Sequence, residues 1–371
     1  MAGAAPRIPA DDAEILERLS LVRDSPQAKA LRELRARVAA APADPGLAAA
    51  LARRYFMLAM ADGDPRFIGY AQAALRPWDG AEAPPGILLV RGMLRQYRHD
   101  FDGALTDLAL ALQRDPGNDE AHAWRAAIFM VRADYARAAD ACAALAALED
   151  SIQAVGCSTY VEATTGRTRA AYDRLRAALA AQPDSGGQVQ LWALTRLAEM
   201  ADRLGDAAAA ENHFKAALTL GREDNFLLAA YADFLLERRR EREVLALLKD
   251  RGRSDTLLLR VALAAHRLGL PEAAGHVRTL GERFAAAALR GERLHLAEEA
   301  RYLLELRGDA GAALAAAAEN WKSQREPRDA LILLEAARAA RAPAAAAPVL
   351  EWLARSGFEH EGMRRLAVEL R

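Results

Sequence analysis

The sequence predicts an all-α fold, a solenoid of stacked antiparallel helix pairs with about nine hairpins and capping helices. A helical hairpin pattern occurs twice within residues 85–152, at a spacing of 34 residues. Hydrophobic residues make up 52% of the chain and aromatic residues only 6%, so the apolar content is mostly Ala and Leu, which suit closely packed helices. Long alternating runs of Val, Ile, Thr and aromatic residues are missing, which argues against strands.

When the two units are aligned at an offset of 34 residues, small residues match small residues and an aromatic residue matches an aromatic residue. Such agreement in residue type at a fixed offset indicates one supersecondary unit repeated along the chain. Each hairpin then buries its apolar stripe only by stacking on its neighbours. The matching residues are Gly92, Asp100, Phe101, Ala104 and Ala111 in the first unit, and Ala126, Asp134, Tyr135, Ala138 and Leu145 in the second.

Helical periodicity and Pro- or Gly-containing turns predict the elements in chain order. Residues 1–45 are expected to form N-terminal capping helices, residues 46–358 the solenoid, and residues 359–371 a C-terminal capping helix. The individual helices are expected at 11–22, 27–41, 47–60, 67–75, 87–99, 102–114, 120–132 and 136–148.

The same register continues through the second half of the chain, with insertions in the loops. A turn residue is followed five positions later by a small or apolar residue in each unit, as expected for hairpins that pack closely. The turns are at Gly166, Gly205, Arg239, Gly269 and Gly308, and the residues that follow them are Ala171, Ala210, Val244, Ala274 and Ala313.

The charge balance bounds the classes of partner. With 50 basic and 51 acidic residues the net charge is -1, which argues against nucleic acid as the main partner. No run of about 18 apolar residues occurs, so we expect no membrane insertion. The first residues lack the pattern of a secretory signal, which predicts a cytoplasmic protein. The alternative is a periplasmic protein whose signal was removed or lies upstream, and the oligomeric state stays open.

The chain resembles the tetratricopeptide repeat family over residues 47–357. The resemblance implies a right-handed superhelix in which the first helix of each unit lines a concave groove. Its pattern is carried by small residues at position 8 of the unit (Gly92, Ala126, Thr159, Ala198, Ala232, Ala262) and by Ala at position 20 (Ala104, Ala138, Ala171, Ala210, Ala274, Ala313).

Carrying the family's groove positions onto this chain predicts one apolar and one acidic end. Such a groove suits an extended or helical peptide with a hydrophobic anchor and basic residues. The apolar end comprises Phe56, Leu89, Met93, Gln96, Tyr97, Met130 and Tyr160. The acidic end comprises Trp192, Glu199, Asp202, Phe226, Asp233, His266, Glu298, Tyr302 and Glu305.

The two cysteines fall on elements that pack together in that family. Cys142 takes position 24 of one unit and Cys157 lies in the first helix of the next, so either a disulfide or two buried thiols fits the sequence. A bridge would indicate an oxidising compartment.

Nothing in the sequence indicates catalysis. The seven His residues show no pair at metal-ligand spacing, and no phosphate loop, nucleophile elbow or dinucleotide fingerprint occurs. We therefore expect no enzyme, no metal and no cofactor. The expected function is a non-catalytic scaffold that binds a peptide or protein segment in its groove. The alternative is a periplasmic envelope assembly or accessory factor with a mainly structural role.

Overall fold

The computed structural model describes residues 26–62, 64, 66–183, 185–222, 224–291 and 295–371, and these contain helices but no strands. The all-α solenoid class is thereby confirmed. The predicted helix at 11–22 lies outside the described residues. The α-helices are α1 (Pro26–Ala40), α2 (Pro45–Asp62), α3 (Arg66–Leu75), α4 (Pro85–Tyr97), α5 (Phe101–Arg114), α6 (Asp119–Val131), α7 (Tyr135–Leu148), α8 (Ile152–Thr164), α9 (Thr168–Ala181), α10 (Gly187–Arg203), α11 (Ala207–Thr219), α12 (Asn225–Glu237), α13 (Glu241–Leu247), α14 (Asp255–Arg267), α15 (Ala273–Leu289), α16 (Leu296–Glu305), α17 (Ala310–Ser323), α18 (Pro327–Ala339), α19 (Ala347–Ser356) and α20 (Glu361–Glu369).

From the α4–α5 hairpin onward, the turn inside each described hairpin uses one residue in the left-handed conformation. Gly takes it without steric cost, whereas other residues adopt it at some cost, so the conformation marks positions where the chain must reverse. All five turns predicted in the second half of the chain have it, Arg239 included. The left-handed residues at these turns are His99, Ala133, Gly166, Gly205, Arg239, Gly269, Gly308 and Arg341.

The Asp that recurs in the repeat caps the second helix of the hairpin. The carboxylate of Asp100 accepts a hydrogen bond from the Gly103 main-chain N–H at 3.1 Å, and Asp134 accepts one from Arg137 at 3.3 Å. Asp206 and Asp309 cap α11 and α17 in the same way. Each carboxylate satisfies a main-chain donor that the helix itself leaves unpaired. The recurring Asp therefore stabilises the start of a helix.

Small residues set the distance between the two helices of a hairpin. A Cβ atom on Gly92 would lie 2.9 Å from Cγ of Leu108 on the facing helix, so α4 and α5 meet too closely there for a larger residue. The position-20 alanines Ala104, Ala138, Ala171, Ala210 and Ala313 are fully buried.

The solenoid winds so tightly that the segment around α18 and α19 contacts the hairpins α6–α7 and α8–α9. The Arg325 main-chain N–H donates to the Val131 carbonyl at 2.7 Å, and Trp352 Nε1 donates to Tyr135 Oη at 2.7 Å. Glu359 accepts a hydrogen bond from the Thr168 main-chain N–H at 2.9 Å. These contacts join segments far apart in the sequence, so the last hairpin covers part of the concave side and leaves a partly open interior.

A close contact between main chains adds to this closure. A Cβ atom on Gly166, where φ is +82°, would lie 3.0 Å from the carbonyl oxygen of Gly357. Glycine at position 166 thus serves both the turn and the approach of the last hairpin.

Helices at both ends cover the apolar faces of the terminal hairpins. Leu31, Leu34 and Val38 of α1 pack on the N-terminal core, and Met363 and Leu366 of α20 are buried against the C-terminal one. The boundaries of the capping segments stay predictions. Among the described residues, no helix has the length and apolar character needed to cross a membrane.

Candidate functional site: an inner chamber

The partly open interior contains a cavity of about 730 Å³, here called the inner chamber. Its walls are mainly α8, α10, α12, α16 and α18. Each of these is the first helix of its hairpin. The sequence-predicted residues that line it are Tyr160, Glu199, Asp202, Phe226, Asp233, Glu298 and Glu305.

Asp233 is the centre of the charge network in this chamber. Its carboxylate accepts from Arg260 at 2.7 and 3.1 Å and from Arg301 at 2.6 Å, and the guanidinium of Arg328 lies 3.1 Å away. Burial opposes the ionisation of Asp233, but the three guanidinium groups outweigh it and hold its pKa far below the usual value. The side chain of Arg260 is only 1% exposed, so this charge depends on Asp233 for compensation.

Other carboxylates in the chamber also pair with arginines. Glu305 accepts from Arg301 at 2.6 Å and from Arg267 at 2.8 Å, so the pKa of Glu305 is lowered although its burial acts in the opposite direction. Asp202 pairs with Arg238. The acidic end predicted from the sequence is therefore largely neutralised by arginines from neighbouring hairpins.

Arg196 lies between aromatic rings on the chamber wall. Its guanidinium carbon is 4.2 Å from the ring centroid of Tyr160 and 4.6 Å from that of Phe226, distances typical of cation–π contacts. One of its terminal nitrogens donates to Glu199 at 2.8 Å, whereas its Nε is buried without a hydrogen-bond partner. Phe226 keeps 38% of its surface exposed, which makes it the accessible aromatic surface in the chamber.

Three carboxyl groups on α18 and its N-cap have no cationic side chain at ion-pair distance among the described residues. Glu326 accepts from the hydroxyl of Tyr160 at 3.5 Å. Glu326 and Asp329 form a capping box in which each side chain accepts from the main-chain N–H of the other, that of Glu326 lying 3.0 Å from the Asp329 carboxylate. Burial, and then the charge of Glu326, raise the pKa of Asp329 to about 8. Burial, and then Glu305, raise the pKa of Glu335. This wall would therefore gain from a positive charge supplied by a ligand.

The opposite imbalance occurs at Arg203. Its guanidinium donates to the Ala163 carbonyl at 3.1 Å and lies 4.7 Å from the ring centroid of Phe358, but no carboxylate of the described residues pairs with it. Burial lowers the pKa of Arg203. Acidic and basic side chains that both lack an ion-pair partner among the described residues therefore lie around the same cavity.

Most residues predicted for the apolar end of the groove are buried in the core of this structure. Phe56 packs edge-on against the rings of Tyr97 and Trp124 at 6.3 and 5.9 Å, and these two rings come from the next two hairpins. Tight winding covers such residues before a partner can reach them. The predicted groove residues found in the core, with their exposed fractions, are Phe56 (3%), Leu89 (4%), Met93 (1%), Met130 (5%) and Tyr302 (7%).

Four other predicted residues lie outside the chamber lining. Gln96 and Tyr97 are half-buried near the N-terminal core, and His266 is exposed. A Cβ atom on Gly156 would overlap the ring of Trp192, so this indole packs against the α8 main chain. None of the four belongs to the site around Asp233.

Sequence reasoning missed the arginines. Arg196 and Arg301 stand three and four residues before Glu199 and Glu305, a spacing that places such pairs on one helix face and could have signalled them. Arg260 and Arg328 reach Asp233 from other hairpins, and no local pattern indicates that.

The two cysteines meet between α7 and α8. Their sulfur atoms lie 1.96 Å apart and their Cα atoms 5.4 Å apart, the geometry of a disulfide. The sequence allowed either a disulfide or two buried thiols, and the structure has the disulfide.

Comparisons with known proteins give the fold class. No family model matches the chain, and no curated protein matches it either. Among solved structures, 46 chains match. One is from the APC/C hetero-tetramer Cut9–Hcn1, with a TM-score of 0.52 and 14% identity over 87% of this chain; the match spans 62% of that chain. Another is a Rap protein complexed with Competence and Sporulation Factor, with a TM-score of 0.50 and 14% identity over 93% of this chain and 94% of that chain.

These neighbours are tetratricopeptide-repeat proteins. The chain accordingly has the tetratricopeptide-like solenoid fold that its residues resemble.

Proposed function

We propose that this protein is a non-catalytic interaction scaffold that binds a segment of a protein partner in the inner chamber. The supporting observation is that the carboxyl groups of Glu326, Asp329 and Glu335 on the α18 wall lie without an ion-pair partner among the described residues, beside the exposed ring of Phe226. Burial is the largest cause of the raised pKa values of Asp329 and Glu335, and it outweighs the arginines that act on them from beyond ion-pair distance. A lysine or arginine of the ligand would supply a close counter-ion, and an apolar side chain would cover Phe226.

The preferred ligand is therefore a short segment with a basic residue next to an aromatic or aliphatic one. A cavity of about 730 Å³ holds a few residues rather than a domain. The two neighbours above are present in complexes, one with Hcn1 and one with Competence and Sporulation Factor, which is in keeping with a binding role.

The test is selection of peptides from a random display library on the wild-type protein. Enriched peptides are expected to combine basic and apolar residues. Synthetic copies should bind at least about tenfold more weakly, or about 1.4 kcal/mol, to the double variant Phe226→Ala with Glu335→Gln. The matched control is Leu289→Ala, because Leu289 is 90% exposed on α15 and outside the chamber. Equal binding to both variants, with unchanged circular dichroism, would place the ligand elsewhere.

The second candidate, a structural accessory factor in the periplasm, is favoured by one observation. Cys142 and Cys157 have disulfide geometry, and such bonds persist mainly in oxidising compartments. Protein isolated from its native cells under alkylating conditions should contain no free thiol if this proposal holds. Two alkylated cysteines would reject it and leave the scaffold proposal unaffected.

A further inference from the structure

A second cavity, here called the edge cleft, opens where the last hairpins meet the N-terminal ones. Its volume is about 810 Å³. One wall is formed by the turns at residues 99–102 and 132–137, and the other by segments 322–325 and 352–356. The hydrogen bonds from the Arg325 main chain to Val131 and from Trp352 to Tyr135 join the two walls at their base.

The edge cleft carries an excess of positive charge. Its lining contains five cationic side chains, Arg132, Arg137, Lys322, Arg325 and Arg355, against three carboxylates, Asp100, Asp102 and Asp134. Burial, and then His295, lower the pKa of His99 to about 4, so this lining residue is neutral. The chain as a whole has a net charge of -1, so the excess is a local property.

The carboxylates of the cleft are already engaged. Asp100 and Asp134 each cap the helix that follows them, and Asp102 pairs with Arg132 at 2.5 Å. Asp134 also forms an exposed ion pair with Arg137 at 3.4 Å. Their capacity to attract the remaining cations is correspondingly reduced.

The cations on the opposite wall have weak or external partners. Lys322 pairs with Glu319 at 2.6 Å, and Arg355 is 3.9 Å from Glu351; neither acid lines the cleft. Such exposed pairs contribute little energy and exchange readily. Among the described residues, the Arg325 side chain donates to main-chain carbonyls, those of Trp321 at 3.1 Å and Lys322 at 3.5 Å.

The floor between these walls is aromatic. Phe101, Phe129 and Trp352 line the cleft with exposed fractions of 2–6%. The outer rims carry Arg137, Lys322 and Arg355, whose side chains are 69%, 73% and 70% exposed. An occupant would thus meet mobile positive charges on two sides and ring edges below.

We infer that the edge cleft binds an acidic segment of a protein partner. Its volume of about 810 Å³ suits several residues rather than one small anion, and its cations come from both walls. A nucleic-acid strand is disfavoured because the chain as a whole has a net charge of -1, which does not attract a long phosphate backbone. This inference is independent of the ligand of the inner chamber, because the two cavities share no lining residue.

The test uses fluorescence anisotropy with a labelled peptide of alternating glutamate and phenylalanine, and its lysine-for-glutamate counterpart. The triple variant Arg137→Glu, Lys322→Glu, Arg355→Glu should bind the glutamate peptide at least about tenfold more weakly than wild type. The matched control, Arg35→Glu, Arg242→Glu, Arg278→Glu, changes the net charge equally at exposed positions outside both cavities. It should stay within about twofold of wild type.

Several results would overturn the inference. These are the absence of wild-type binding, equal loss in the two triple variants, and displacement of the peptide by inorganic phosphate at constant ionic strength, which would assign the cleft to phosphate. If a single-stranded oligonucleotide binds more tightly than the glutamate peptide, the cleft is assigned to nucleic acid instead. If circular dichroism shows that the triple variant is unfolded, Lys322→Gln with Arg355→Gln replaces it, and an affinity equal to wild type would again contradict the inference.

Discussion

Replacing Asp233 by Asn tests the charge network that holds the inner chamber together. The substitution keeps the shape of the side chain but removes the negative charge shared by Arg260, Arg301 and Arg328. Arg301 retains Glu305 at 2.6 Å, whereas Arg260 keeps only Glu298, at 3.9 Å. The variant therefore leaves a nearly inaccessible guanidinium without a close counter-ion.

The expected loss is about 3 kcal/mol in the free energy of unfolding, at the lower end of the range for removing one partner of a buried ion pair, because Asn still accepts hydrogen bonds. Urea denaturation followed by circular dichroism measures it. The control is Asp140→Asn, an exposed position on α7, expected to change stability by less than about 0.5 kcal/mol.

A double-mutant cycle that combines Asp233→Asn with Arg260→Met separates the interaction energy of Asp233 and Arg260 from the effects of their surroundings. Coupling of about 1–3 kcal/mol between Asp233 and Arg260 is expected for groups in direct contact. The pKa of Asp233 is lower in the folded state than in the unfolded state. Its ionised form therefore stabilises the fold fully above the unfolded-state pKa, and this stabilisation is lost only as the pH falls towards the folded-state pKa. If Asp233→Asn unfolds at the same urea concentration as Asp140→Asn, the network does not stabilise the fold and the reasoning is refuted.

Three further predictions concern the closure, the cysteines and a buried acid. Trp352→Phe removes the hydrogen bond to Tyr135 and should lower the free energy of unfolding by about 1 kcal/mol; an unchanged thermal midpoint would argue against this contact. Reduction of Cys142 and Cys157, which are 15 residues apart, should cost about 3 kcal/mol and add the mass of two hydrogens; identical masses before and after reduction would exclude the bridge. Because the pKa of Asp329 is raised from 3.8 to about 8, its contribution is greatest at low pH and declines as the pH rises through that interval; Asp329→Asn should remove this decline in a pH series of denaturation curves, and a persisting decline would contradict it.

Local chemistry explains why the repeats could be predicted from the sequence. Asp100 and Asp134 recur because each caps a helix, and Gly92 recurs as a small residue because Leu108 lies against it. These constraints act within one hairpin, over a few residues, so they leave a pattern in the sequence. Even the turn at Arg239, which lacks glycine, has the expected left-handed conformation.

The site was predicted less well because it depends on how far the superhelix winds. The positions of Phe56 and Met93 face inward as the repeat pattern implies, but neighbouring hairpins cover them completely. Conversely, Arg328 comes to Asp233 from α18, and such a contact between distant hairpins leaves no periodic trace. The acids of the chamber were therefore visible in the sequence, whereas their neutralisation was not.

Photo-crosslinking at the chamber tests the proposed function most directly. Phe226 is replaced by benzoylphenylalanine in the full chain within its native cells, and Leu289, 90% exposed and remote from the chamber, is replaced in a parallel strain. After irradiation, the position-226 protein should carry a crosslinked protein segment with basic residues next to the attachment point, and the position-289 protein should not. Crosslinks at 289 alone, or the same products at both positions, would contradict binding in the inner chamber.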